Sequence, residues 1–388
     1  DWAVGSFVPN IRATVQFTGP GTVSASAFHN LTLTASSGTR TAAGDITVNG
    51  NLVINSGATL DMHGYSLTVT GTISGAGTLI GGSAVTVTGS MSVANYTATS
   101  GETRVGGNWG VSGVFNPNGG TVVITGAASQ MAVSATFHNL TIQAGASLDT
   151  LGTWSIIING DFSNAGNLSR RGADYVSKTD ATKGTVTYRT SSTNPIQSYD
   201  GPDYYNLRIQ SAGFSLGSDI GVVNNLDIVL GGSLNAAGRT LELGGNFTNS
   251  VGTGAYTAAG GKVRLVDAAK TSTVSGTTTF GDLEATTPGK TVVFAAGVTQ
   301  TVAGTFRITG AAGNPVTLES GAAGSQAAVT VSGATSVEYV AVRDIHCSGR
   351  GALTALRSVY NGNTLNWNFT GATSYWIGTT SSPRTTPT

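Results

Sequence analysis

Between residues 45 and 93, apolar and small polar residues alternate in short runs, and each run returns after about 20 residues. Ile46-Thr-Val48 is followed by Leu67-Thr-Val69 and then by Val85-Thr-Val87, at spacings of 21 and 18. Leu52, Ile73 and Met91 keep the same spacings, and Leu60 and Leu79 stand 19 apart. Alternation with a period of two marks a strand with one buried face. Gly or Asn-Gly separates each run from the next, so three short strands make one repeat. The predicted fold is all-β: a single-stranded right-handed parallel β-helix, or β-solenoid, with three short strands per rung.

A longer repeat is superimposed on the rung. Phe28-His-Asn-Leu-Thr-Leu33 returns as Phe137-His-Asn-Leu-Thr-Ile142, as Tyr204-Tyr-Asn-Leu-Arg-Ile209 and more loosely as Phe280-Gly-Asp-Leu283. Residues 45–73 overlay residues 219–247 without gaps at an offset of 174, keeping Asn51/Asn225, Leu52/Leu226, Gly57/Gly231, Gly64/Gly238 and Leu67/Leu241. Gly tolerates the positive φ of a sharp corner, and Asn does so better than most. Stacked Asn side chains can also hydrogen-bond from rung to rung. Asn51, Asn108, Asn225 and Asn246 are therefore expected as ladder residues, and Gly57, Gly231, Gly64 and Gly238 as turn residues.

Departures from the pattern divide the chain. Residues 1–27 are more aromatic, and Trp2, Phe7 and Phe17 are expected to cap the first rung or dock on a neighbouring molecule. The β-helix is expected over 28–335, with an irregular insertion at about 167–205 where the register weakens. Residues 336–370 are expected to form the last rungs and a C-terminal cap closed by Trp367 and Phe369, and 371–388 a Thr/Ser/Pro-rich tail or linker. At about 4.8 Å per rung, some 15 to 17 rungs would make an elongated body of about 70 to 80 Å. The chain begins at Asp1 without a signal peptide, from which a processed or excised segment is expected.

Composition narrows the partners. Of 388 residues only 10% are charged, and 19 Lys+Arg balance 19 Asp+Glu. Such a surface has no basic face for phosphates or anionic lipid, so neither nucleic acid nor a membrane is an expected partner. The single Cys347 excludes an internal disulfide framework.

Candidate chemistry is sparse. Polysaccharide lyases and hydrolases need carboxylates about 5 to 10 Å apart in a cleft, or an Asp cluster that holds calcium. Asp45, Asp61 and Asp149 look isolated, and the dense acidic set, Asp174, Asp180, Asp200 and Asp203, falls in the insertion. An enzyme is therefore not expected, and neither is a cofactor or metal. His29 and His138 share a repeat position and read as corner residues. Cys347 beside His346 reads as a buried thiol next to a surface imidazole. Thr-x-Thr strands raise ice binding, but the Thr ranks lapse after Thr88. Arg170, Arg171, Asp174, Asp200 and Asp203 are the candidate ligand residues, because loops carry specificity more often than rungs.

With these residues in view, the chain resembles the β-helical repeat regions of large bacterial surface and secreted proteins of the filamentous haemagglutinin and autotransporter-passenger kind. The likeness rests on the recurring Phe-His-Asn-Leu-Thr motif, Asn-Gly-Asn-Leu at 49 to 52, Gly-Asn-Pro-Val-Thr-Leu at 313 to 318 and Asn-Trp-Asn-Phe at 366 to 369. It implies an extracellular or cell-surface structural protein, a subunit or segment of a fibre, sheath or adhesin stalk that assembles head to tail with itself. A glycan- or host-binding adhesin that uses the insertion is the alternative expectation.

Overall fold

The computed structural model describes residues 12–152, 154–171, 174–189, 195–199, 201–349 and 351–371. Trp2, Phe7, Asp200 and the 372–388 tail lie outside them. The chain divides into two compact units, Asp1–Arg239 and Thr240–Thr388. Each is a β-solenoid of stacked parallel sheets, of about 17 turns in all.

In unit 1 the repeats seen in the sequence are pairing partners in the structure. Ile46 pairs with Leu67 and Leu67 with Val85, while Val48, Val69, Val87 and Val105 follow one another directly. Leu52 pairs with Ile73 and Ile73 with Met91. The strand Ile73–Ile80 runs through a bend and serves two faces, pairing with Leu52–Ile54 at one end and with Thr59–Asp61 at the other. Inward positions are almost wholly buried, among them Leu52, Leu60, Val69, Ile73, Leu79 and Val87. A column of rings, Tyr96, Trp109, Phe115 and Phe137, fills the middle of this core at centroid spacings of 4.8 to 6.4 Å.

Unit 2 repeats the scheme. Strands such as Lys262–Leu265, Thr271–Ser275 and Thr278–Phe280 make one turn, and Asp282–Ala285, Thr291–Phe294 and Thr299–Val302 make the next. Their like-placed strands pair in parallel.

The Phe-x-Asn-Leu motif is the corner of a turn. Phe28, Phe137, Tyr204 and Phe280 point into the core, as do Leu31, Leu140, Leu207 and Leu283 one corner later. The Asn or Asp between them acts on the adjacent turn. Asn30 Oδ1 accepts the Asn51 backbone N–H at 2.9 Å, Asn51 Oδ1 accepts that of Thr72 at 2.9 Å, and Asn108 Oδ1 that of Gln130 at 2.9 Å. Asn139 does the same to Asp161, Asn206 to Asn225 and, within unit 2, Asn246 to Thr273 and Asp282 to Thr305. The side chains were expected to bond to one another, as Asn224 Nδ2 does to Asn206 Oδ1 at 2.9 Å. Here they cap main-chain donors that the bend takes out of the sheet, a bond of about 0.5 to 1.5 kcal/mol each.

This corner also accounts for a glycine. A Cβ on Gly50 would lie 2.3 Å from Asn30 Oδ1, and one on Gly160 would lie 2.2 Å from Asn139 Oδ1. At these corners a side chain before the capped N–H would strike the capping oxygen, whereas Ser129, Asn224 and Ser272 hold the same place before Gln130, Asn225 and Thr273. Gly57, Gly64, Gly231 and Gly238 serve differently, with φ between 75° and 89° at tight turns.

Candidate functional site

The charged stretch of unit 1 departs furthest from an apolar coil. The sequence pattern suggests one irregular insertion over 167–205, yet on one face the sheet continues: Asn167–Arg170 pairs with Thr185–Tyr188, and that strand with Asn206–Ile209. On another face the sheet stops, among the described residues, at Tyr175–Val176. The weakened register therefore has a local cause, because polar side chains take inward positions and, among the described residues, one face lacks a strand.

Leu168 and Arg170 alternate inward on the same strand, and Arg170 is 1% exposed. Its guanidinium donates to Asp174 Oδ1 from Nε at 3.2 Å and lies 3.1 Å from it through Nη2. Nη2 also donates to the Asp174 carbonyl at 2.6 Å, and Nη1 to the hydroxyls of Tyr188 at 3.0 Å and Tyr199 at 3.3 Å. Thr150 Oγ1 and the Arg171 backbone N–H donate to Asp174 Oδ2. Burial opposes the charge on Arg170, but Tyr188, Tyr199 and Asp174 hold its guanidinium above the ordinary value. A buried ion pair persists only when such bonds satisfy its remaining donors and acceptors.

The neighbouring charges are similarly engaged. Asp149, which looked isolated in sequence, accepts from Arg171 at 3.2 Å and from Arg189 at 3.0 Å. Asp203 is 2% exposed, and its oxygens accept the backbone N–H of Tyr199 and of Gly221. Burial raises its pKa even though those donors favour the carboxylate. Tyr204 donates to the Gln197 carbonyl and shares a 2.9 Å bond with the Tyr188 hydroxyl. Of the five residues expected to face a ligand, Arg170, Asp174 and Asp203 are thus buried, Arg171 is half-buried against Asp149, and Asp200 lies outside the described residues. These charges hold turns together instead of lining a surface.

The other candidates are placed as follows. Phe17 is buried against Phe28 at 6.1 Å, with the Arg40 guanidinium 4.3 Å from its ring centre. Trp367 and Phe369 stack at 6.0 Å on the strand Trp367–Thr370, both half-buried, and Trp367 Nε1 donates to the Ile345 carbonyl. Cys347 is buried, which pushes its thiol up to about 11 and keeps it a poor nucleophile. His346 lies on the same strand with its Nε2 3.4 Å from Asn366 Nδ2. No group of three or more His, Cys, Asp or Glu that could hold a metal occurs among the described residues.

Two features escape a reading of the sequence. In unit 2 the outward positions Glu242, Arg264, Glu284 and Arg307 are successive pairing partners and form a column of alternating charge. Arg264 reaches Glu242 at 2.7 Å and Glu284 at 3.3 Å, and Lys262 meets Glu284 at 2.9 Å. The other feature is Lys290, fully buried, whose ammonium donates to the carbonyls of Gly244, Asp267 and Lys270 at 2.8, 3.1 and 2.8 Å.

Comparison with protein-family models, with curated proteins and with solved structures finds no match to this chain.

Proposed function

We propose that this chain is a structural protein of the bacterial cell surface, a subunit or segment of a fibre, sheath or adhesin stalk of the filamentous haemagglutinin or autotransporter-passenger kind, and that it associates end to end with copies of itself. One observation carries the reading: the polar side chains are directed at neighbouring turns of their own unit. Corner Asn and Asp residues cap the next turn, and Arg170, Arg264 and Lys290 tie two or more turns together. Chemistry used in this way maintains a shape. A solenoid of this kind resists proteolysis and local opening because each turn is bonded to the next.

The last turn of unit 2 supports the end-to-end step. Val359–Tyr360 and Trp367–Thr370 end their sheets among the described residues, and Tyr360 and Leu365 are 58% and 49% exposed. A sheet edge with apolar side chains is a template for further pairing, and repeated head-to-tail contact makes an open filament. Electron micrographs of the purified chain at rising concentration should show filaments, shortened by Tyr360→Glu with Leu365→Glu. Monodisperse short particles at every concentration, unchanged by deleting residues 1–20, would overturn the proposal.

A further inference from the structure

The geometry points to a binding groove for a neutral oligosaccharide on unit 1, at the break in the sheet beside Tyr175. The inference stands apart from the fibre reading, because it rests on a different part of the surface and a different observation.

The break has an identifiable cause. Ala135–Phe137, Ser155–Ile158 and Tyr175–Val176 stack as three parallel strands, and among the described residues the sheet then ends. In the next turn Ile196 makes a single bridge to Leu216, and its neighbour Gln197 reaches back with its side chain. Gln197 Oε1 accepts the Val176 N–H at 3.3 Å, and Gln197 Nε2 donates to the Val176 carbonyl at 2.7 Å. A side-chain amide thus replaces the peptide that a strand would supply. It satisfies both groups of Val176. The remaining space is an open groove of about 540 Å³, lined by Tyr175, Lys178, Thr179, Gln197, Tyr199 and Pro202 among others. That volume is in the range of small-molecule sites and would hold a short run of sugar rings.

The lining selects the ligand class. Tyr175 is 48% exposed, so an apolar ring with a hydroxyl tip is presented at the groove, as suits the C–H face of a sugar. Thr179 Oγ1 is buried without a hydrogen-bond partner among the described residues, while Ser177 and Ser198 add further hydroxyls to the wall. An unpaired buried hydroxyl is costly, and a polyhydroxyl ligand can complete it. Charge points away from an anionic ligand. Lys178 Nζ already donates to the Gly160 and Asn159 carbonyls, and the Arg170 guanidinium is enclosed by Asp174, Tyr188 and Tyr199. Gln197 occupies the hydrogen-bonding groups of Val176, so a peptide cannot add there as a strand.

The test uses the full chain and defined neutral probes, maltohexaose, cellohexaose and chitohexaose, titrated to millimolar concentration by calorimetry and by affinity electrophoresis. At least one should bind. Tyr175→Ala, which removes only an exposed ring, should weaken that probe by about tenfold or more. Thr179→Val, close to isosteric, should weaken it measurably, and circular dichroism should show both variants folded like the parent. Tyr360→Ala, at the last turn of unit 2, should bind as the parent does. Absence of binding by all three probes would overturn the inference. So would binding that survives both groove substitutions, or a preference for a polyuronate over every neutral probe. Filament formation by Tyr175→Ala would be unaffected, which keeps failure of this inference distinct from failure of the fibre reading.

Discussion

Arg170 in unit 1 and Lys290 in unit 2 are both cations enclosed by a solenoid, and they are accommodated in different ways. The planar fork of Arg170 is divided among a carboxylate, a main-chain carbonyl and two phenols, with the Tyr188 ring centre 5.2 Å from the guanidinium carbon. Lys290 has three main-chain carbonyls and, among the described residues, no carboxylate within bonding distance. Burial accordingly lowers its pKa to about 8, with Asp267 opposing the change. The contrast shows two ways for a coil with few charges to enclose one. Arginine can organise a network of side chains across turns, because its donors are spread in a plane. The compact head of lysine suits a loop whose carbonyls already converge, here that of 266–270 together with Gly244.

The comparison can be broken most forcefully at Arg170. Arg170→Met should destabilise unit 1 by about 3 to 5 kcal/mol, because it leaves the Asp174 carboxylate buried and unpaired. The same substitution combined with Asp174→Leu should recover much of that loss. Hydrogen exchange of the strands Asn167–Arg170 and Thr185–Tyr188 reads the change locally, without requiring the whole chain to unfold in one step. Equal losses in the single and double variants would mean that the tyrosines, not the carboxylate, hold the guanidinium.

Lys290→Met should cost about 1 to 3 kcal/mol by orphaning three buried carbonyls. Its pH dependence sharpens the contrast. The folded pKa lies near 8, below the ordinary lysine value of 10.5, so the unfolded chain binds the extra proton between the two. Stability of wild-type unit 2 should therefore rise with pH across that window relative to Lys290→Met. Arg170 should contribute no such slope, since its guanidinium stays charged throughout. A wild-type minus variant difference that falls with pH would show that Lys290 is held protonated.

The architecture was legible because it depends on spacing. Leu52, Ile73 and Met91 face inward for the same reason that they recur, and no other part of the chain is needed to see it. The corner residues were legible as positions, whereas their action was not: Asn51 caps Thr72 across a turn, and that partner appears only once the register is known. Charge was the least legible. Arg170 is two residues from Leu168, on the inward side of an alternating strand, so the pattern itself signals burial. The prior expectation that charge faces water concealed it. The column Glu242, Arg264, Glu284 and Arg307 was hidden by uneven spacings of 22, 20 and 23 residues (264−242, 284−264, 307−284). The Tyr175 groove could not be found by any pattern, because it lies where the described strands of that face stop at Tyr175–Val176.

A smaller effect tests whether buried and apolar turns use the same corner. Asn139→Ala removes the cap on Asp161 and should cost about 1 kcal/mol. Gly160→Ala pushes a methyl against Asn139 Oδ1 and should cost about 1 to 2 kcal/mol, by a clash rather than by the loss of a left-handed turn. Because Asn139 Oδ1 is the nearest obstacle to that methyl, the double variant should cost clearly less than the sum of the two. Additive losses would place the strain in the backbone at His138 instead.

The smallest effect is expected at the outer end of the charged column of unit 2, where only Glu284 is buried. Glu242 and Arg264 keep 47% and 36% of their side chains in solvent, and Glu284 retains Lys262 as a second partner. Glu242→Gln should therefore change stability by less than about 1 kcal/mol. The residue of that effect should vanish in molar salt, where screening acts within about 3 Å. The buried cations should be nearly indifferent to the same salt, because little water or counter-ion reaches them. If Glu242→Gln instead costs as much as Lys290→Met, with no salt dependence, the column must act as one cooperative lattice along the turns. Position in the stack, more than burial, would then decide what a charge contributes to a solenoid.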